Sequence, residues 1–215
     1  MPGSITSDII KPPAPPHMGG RGGGGDGRDG GDGRGSSRRA SIAGLIVLLA
    51  ATTMAFAALT SAFVMRRDVS KDWVVLPLPH ILWLNTAVLL SSSLLLEAAR
   101  RSLKHGRRTS FNRYWTAGMV LGICFLLGQA LAWRQLRAAG IFVATNPSSS
   151  FFYLLTAAHA VHIAAGLSAL AYVDVQALRL RLGPGKRTAV DVSAMFWHFL
   201  DALWLYLMVL FLVWG

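Results

Sequence analysis

Five long apolar blocks dominate the chain, at Ser41–Met65, Leu76–Ala99, Tyr114–Trp133, Ser150–Ala177 and Val190–Trp214. A helix of about 20 apolar residues, rising about 1.5 Å each, matches a bilayer hydrocarbon core of about 30 Å. The apolar residues run in continuous blocks rather than at amphipathic spacing, which suits helices surrounded by lipid and by one another. The pattern predicts an all-α fold, a polytopic membrane bundle of five transmembrane helices over residues 41–215. Residues 1–40 are Pro-rich and then Gly-rich, with GGRGGGGDGRDGGDGRG at their centre. Such a segment cannot bury enough apolar surface to offset ordering entropy, so it is expected to be a disordered tail.

Composition supports this and charge orients it. Hydrophobic residues make up 53% of the 215 and charged residues only 14%, with a net charge of +11. A basic balance of that size can signal nucleic acid, but here it is topological. Sixteen of the 21 Lys and Arg fall in the N-terminal tail and the two loops on its side, and five in the other two loops. This asymmetry predicts a cytoplasmic N-terminus and a periplasmic C-terminus. Arg38-Arg39 precedes an apolar run too long for an export signal and is expected to be a cytoplasmic anchor. The single cysteine, Cys124, lies within the third block, cannot form an internal disulfide, and is expected to be a small buried hydrophobe.

Ionisable and amide groups inside the blocks are the candidates for function, because each is costly in a membrane unless paired or facing other helices. In the last block His198 and Asp201 share one helical face, flanked by Trp197 and Trp204. In the fourth, Thr156, His159, His162 and Gly166 share a face, and folding the two blocks about the turn holding Gly183, Pro184 and Gly185 sets Asp201 level with Gly166. A His162–Asp201 contact follows, with Gly166 making room. In the second block Asn85, Thr86 and Ser91–Ser93 form a polar stripe, His80 is interfacial, and Glu97 lies near Arg100 and Arg101. Folding the second block onto the third brings Asn85 within one residue of Gln129 and predicts a hydrogen bond between them. Spacing leaves three uses open for His159, His162, His198 and Asp201: an interhelical polar network, a bound metal such as Zn, Fe or Cu, or axial ligation of a haem.

Two motifs in order resemble haem-copper terminal oxidase subunit III, whose pattern is THGLHV…G followed by WHF-[VL]-D-x-x-W and a terminal WG. This chain has TAAHAVHIAAG at Thr156–Gly166, FWHFLDALW at Phe196–Trp204 and a final Trp214-Gly215, and LPHILWLNTAVLLSSS is similar to the family's corresponding helix. Five spans match the short bacterial form. The resemblance implies a non-catalytic subunit III of a proton-pumping oxidase that reduces O₂ to water in a bacterial inner membrane, with no cofactor of its own. Haem and copper would belong to partner subunits. The implied partners are the catalytic subunit I, the other oxidase subunits, bound phospholipid and, through them, a respiratory supercomplex; nucleic acid is not among them. His159, His162, His198, Asp201, Asn85 and Gln129 would form the structural network, with Trp73, Trp197 and Trp204 at lipid or subunit contacts. The family's carbodiimide-reactive glutamate falls on Asn85 here, third-span glutamates on Gln129 and Ala132, and one before the last motif on Asp191, which argues against proton translocation by this chain itself. The alternatives are a nitric-oxide-reductase accessory subunit of the same fold, or a membrane cytochrome holding haem through His159, His162 or His198.

Overall fold

The computed structural model describes residues 29–69, 80–143, 146–179 and 187–214. Five α-helices account for nearly all of them: α1 Asp29–Val69, α2 Ile81–Lys104, α3 Arg108–Ala138, α4 Pro147–Leu178 and α5 Arg187–Trp214. All five are long and apolar enough to cross a membrane, α1 doing so over Arg38–Val69. The helices outrun the apolar blocks because polar residues at a membrane surface can still close helical hydrogen bonds. Thus α3 takes in Arg108 and Arg113 before the third block and Arg137 after it. The first helix reaches back to Asp29, so residues 29–40, expected as tail, are helical. Trp73, Gly183, Pro184, Gly185 and Gly215 lie outside the described residues.

The helix ends have local causes. Gly106 at φ 74° and Gly140 at φ 78° close α2 and α3, a left-handed conformation that glycine adopts without a Cβ penalty. Asn146 precedes Pro147 at the head of α4, where proline costs no hydrogen bond, and its own N–H donates to Ser149 Oγ at 3.2 Å.

Consecutive helices run antiparallel, as their cross-links show. Ser92 of α2 donates to the Gly118 carbonyl of α3 at 2.7 Å. Trp115 Nε1 of α3 donates to the Leu170 carbonyl of α4 at 3.0 Å, and Trp133 Nε1 to Thr156 Oγ1 at 3.2 Å. Trp204 Nε1 of α5 donates to Thr86 Oγ1 of α2 at 3.0 Å. Helix α1 packs on α4 and α5 through Phe56, which meets His159 and His162, and Phe63, which meets Phe151 and Phe211.

Small residues set the approach distances. On α3, Gly118, Gly122 and Gly128 are buried, and a Cβ at Gly122 would lie 2.6 Å from Trp197 Cη2. Close backbone approach at such positions is how helices gain packing energy where lipid is as apolar as the core. Cys124 corrects an expectation. It is exposed, on the outward face of α3 with Val120, Ile123 and Leu127, because the inward face of this helix is taken by Gly118, Gly122, Phe125 and Gly128.

Candidate functional site

The polar side chains of the spans gather in three places rather than one. The first is the centre of the bundle. Trp204 is 1% exposed and His159 likewise, and their rings stack at 5.2 Å between centroids. Phe125 meets both edge-on, at 5.0 Å from Trp204 and 6.1 Å from His159, and Phe56 closes the remaining side of the imidazole at 6.4 Å. Neither ring nitrogen of His159 has a hydrogen-bond partner among the described residues. The imidazole therefore acts as a flat aromatic filler at the junction of α1, α3, α4 and α5. Trp197 is fully buried as well, against Gly122 and Gly166. Both tryptophans thus correct the expectation of lipid or subunit contact. They lie in mid-span on α5, the most buried of the five helices, and not at its ends where interfacial tryptophans sit.

The second place is the seam between α2 and α5. Ser93 Oγ lies 2.5 Å from His198 Nδ1, and an Asp201 carboxylate oxygen lies 3.9 Å from the same nitrogen. Nε2 of His198 faces Glu97 Oε2 at 3.9 Å. Arg100 continues the chain of contacts, donating to Glu97 at 2.9 Å and to Asp191 at 3.0 Å, while Arg101 reaches Glu97 at 3.2 Å. A serine, a histidine and an aspartate together invite comparison with a hydrolase triad. That arrangement needs serine and aspartate on opposite ring nitrogens. Here both address Nδ1, so the imidazole cannot pass a proton between them.

The third place is the α2–α3 contact around Asn85. Its side chain packs onto Gly128, so folding the two blocks together gave the register to within one residue. The expected Asn85–Gln129 hydrogen bond is absent. Asn85 Nδ2 and both amide atoms of Gln129 lack a hydrogen-bond partner among the described residues. The Asn85 amide lies against Gly128 instead, the position next to Gln129. A double-mutant cycle of Asn85→Ala and Gln129→Ala, read by thermal stability in detergent, should accordingly return a coupling below about 0.5 kcal/mol, whereas a direct interhelical bond would give about 0.6–2 kcal/mol.

The expected His162–Asp201 contact is not formed either, although its register is right: a Cβ at Gly166 would meet Leu200 at 3.1 Å and Trp197 at 3.2 Å. His162 Nδ1 instead bonds the Ala158 carbonyl of its own helix at 2.7 Å, and its ring lies 5.6 Å from Phe56. The four motif residues therefore split, with His159 central, His162 beside α1, and His198 with Asp201 at the α2 seam. Among the described residues no three His, Cys, Asp or Glu side chains converge on a point that could hold a metal ion. The pocket around His159 is filled by three aromatic rings, which leaves no space for a macrocycle.

Two further links join the helices. Asp191 pairs with Arg100 across the seam, and the buried Asp174 accepts from Thr116 Oγ1 at 2.8 Å. Their signal was an acid near a span end facing a basic or hydroxyl residue of the neighbouring span, visible only once the helix rotations are known.

Five helices long and apolar enough to cross a membrane, packed on one another through buried aromatic and polar side chains, define a polytopic helical membrane protein. The family model for cytochrome c oxidase subunit III matches residues 41–215. The chain belongs to that family, and membership places it in a complex with other oxidase subunits. It is 30% identical over 166 residues to the probable cytochrome c oxidase subunit 3 of Mycobacterium bovis, covering 75% of this chain and 82% of that protein. Cytochrome c oxidase subunit 3 of Synechocystis is 27% identical over 174 residues, 78% of this chain and 72% of that protein. The Gallus gallus subunit is 29% identical over 132 residues, covering 61% and 49%.

Proposed function

We propose that this chain is a non-catalytic subunit of a bacterial inner-membrane oxidase that reduces O₂ to water and pumps protons, and that it stabilises the catalytic subunit I and binds lipid. The observation carrying this reading is the dispersal of the motif histidines. His159 is a packed aromatic, His162 is tied to its own helix, and His198 is tied to Ser93. His159 and His162 both pack against the ring of Phe56, and His198 stands apart at the α2 seam, which favours a scaffold over a haem-binding cytochrome. In this reading the haems and copper are held by partner subunits, and no step of the reaction runs through this chain.

The lipid part of the proposal has its own support. A groove of about 710 Å³ runs along α3, lined by Leu95, Ala117, Val120 and Leu121, with Thr116 and Arg113 at one end. Apolar walls ending in a guanidinium suit an acyl chain beneath an anionic headgroup, as basic pockets between membrane helices generally do.

Reduced-minus-oxidised optical spectra test the central claim. Haem bands are expected in the assembly that co-purifies with a tagged chain in mild detergent, and none in the chain stripped of partners. Haem retained by the lone chain would make its histidines ligands and overturn the proposal.

A further inference from the structure

The α2–α5 seam does more than join two helices of this chain. His198 stands about 16 Å along α5 from Arg187, at about 1.5 Å per residue, well inside the membrane-spanning part. Its side chain is nonetheless 34% exposed, and that of Glu97 beside it 32%. The imidazole has one nitrogen engaged by Ser93, while Nε2 stands 3.9 Å from Glu97 Oε2, beyond hydrogen-bonding distance, and that oxygen is taken by Arg100. Lipid tails offer such groups no hydrogen bond, and ionisable side chains at this depth face protein or a water-filled cavity. Lys104 and Arg187, the basic residues at the ends of α2 and α5, are the ones suited to headgroups, and they stand well away from His198 along the helices. The other half-buried histidine, His162, differs: it bonds its own helix and lies against Phe56, with no carboxylate beside it.

The surface around the seam has the shape of a helix-docking strip. On α5 the outward row is Asp191, Met195, His198, Ala202 and Leu205, one residue per turn, and on α2 the edge is Leu90 and Leu94. Ala202, one turn from His198, leaves room for a close approach. We propose that this α2–α5 strip is the face that meets the catalytic subunit, and that it receives a transmembrane helix presenting a hydroxyl or amide side chain. Such a group can bond His198 Nε2, whose nearest polar neighbour among the described residues, Glu97 Oε2, stands 3.9 Å away and is already engaged by Arg100. The inference rests on the oxidase-subunit reading and adds to it which helices make the contact.

The test uses the assembled oxidase in native membranes, with a photo-crosslinking amino acid in place of Leu94 or Met195 at the strip, and of Leu127 or Val161 on the outward faces of α3 and α4. Adducts with the haem-bearing subunit are expected from the first pair at several-fold higher yield than from the second. His198→Phe should lower co-purified haem several-fold, while Ser93→Ala, which keeps Nε2 and removes only the bond within this chain, should leave it near the parent value. Strong adducts from Leu127 or Val161 with none from the strip would overturn the assignment of the face, as would equal losses in the His198 and Ser93 variants. Failure of any haem-bearing subunit to co-purify with the parent chain would instead overturn the oxidase reading, and the inference with it.

Discussion

Trp204→Ala is expected to destabilise the bundle by about 3–5 kcal/mol, the range for removing a large buried aromatic. The side chain is 1% exposed and touches three elements at once. Its ring stacks on His159 of α4, meets the edge of Phe125 of α3, and donates its N–H to Thr86 of α2. Truncation opens a cavity where four helices meet, and it removes the ring on which His159 stacks and which Phe125 meets edge-on. Thr86→Val isolates the hydrogen bond from the packing. Thr86 Oγ1 also donates to the Leu82 carbonyl of its own helix at 2.8 Å, so its loss should cost only about 1 kcal/mol. Thermal inactivation of the detergent-solubilised complex, followed by retention of this subunit, checks both. A Trp204→Ala loss no larger than that of Thr86→Val would mean that the stacked aromatic centre contributes little to holding the helices together.

The five spans were legible because lipid demands nearly uniform apolarity, and uniformity is easy to see in a sequence. Register was legible too, since short connections fix which residues lie level. Asn85 packs onto Gly128, and Gly166 faces Trp197 and Leu200, within a residue or two of where folding about the loops set them. Rotation about each helix axis was not legible. In a soluble helix the polar face points to water and settles the rotation. Here the lipid side is as apolar as the core, so nothing in the apolar pattern says that His159 rather than His162 faces Trp204, or that Gln129 misses Asn85. The same gap explains Cys124, which the third block could present inward or outward with equal ease. Trp197 and Trp204 depart from expectation for a related reason. Tryptophan prefers membrane interfaces, but these two lie where α5 is enclosed by its neighbours, and burial overrode the preference. The Glu97 pairing with Arg100 and Arg101 could be read directly, because positions three and four apart on one helix need no rotation to be known.

Gly122→Val is the second substitution with a large expected effect, about 3 kcal/mol, at the upper end of what overpacking usually costs. A Cβ at Gly122 would stand 2.6 Å from Trp197 Cη2, 2.8 Å from Cζ2 and 2.9 Å from Leu167 Cδ2. None of these can retreat easily. The Trp197 ring is fully buried and is held on its other side by Gly166, and Leu167 belongs to α4, already tied to α3 through Trp115 and Trp133. Relief therefore requires α3 to move away from both α4 and α5. The clash names its own remedy. Trp197→Phe removes the two ring atoms nearest the new side chain, and the indole N–H it deletes has no hydrogen-bond partner among the described residues. Trp197→Phe in the Gly122→Val background should then recover about 1 kcal/mol or more, a coupling of the size expected between groups in contact. Additive losses in the double variant would show that Gly122 is needed for something other than the ring it cradles, and would remove the steric account of this three-helix junction.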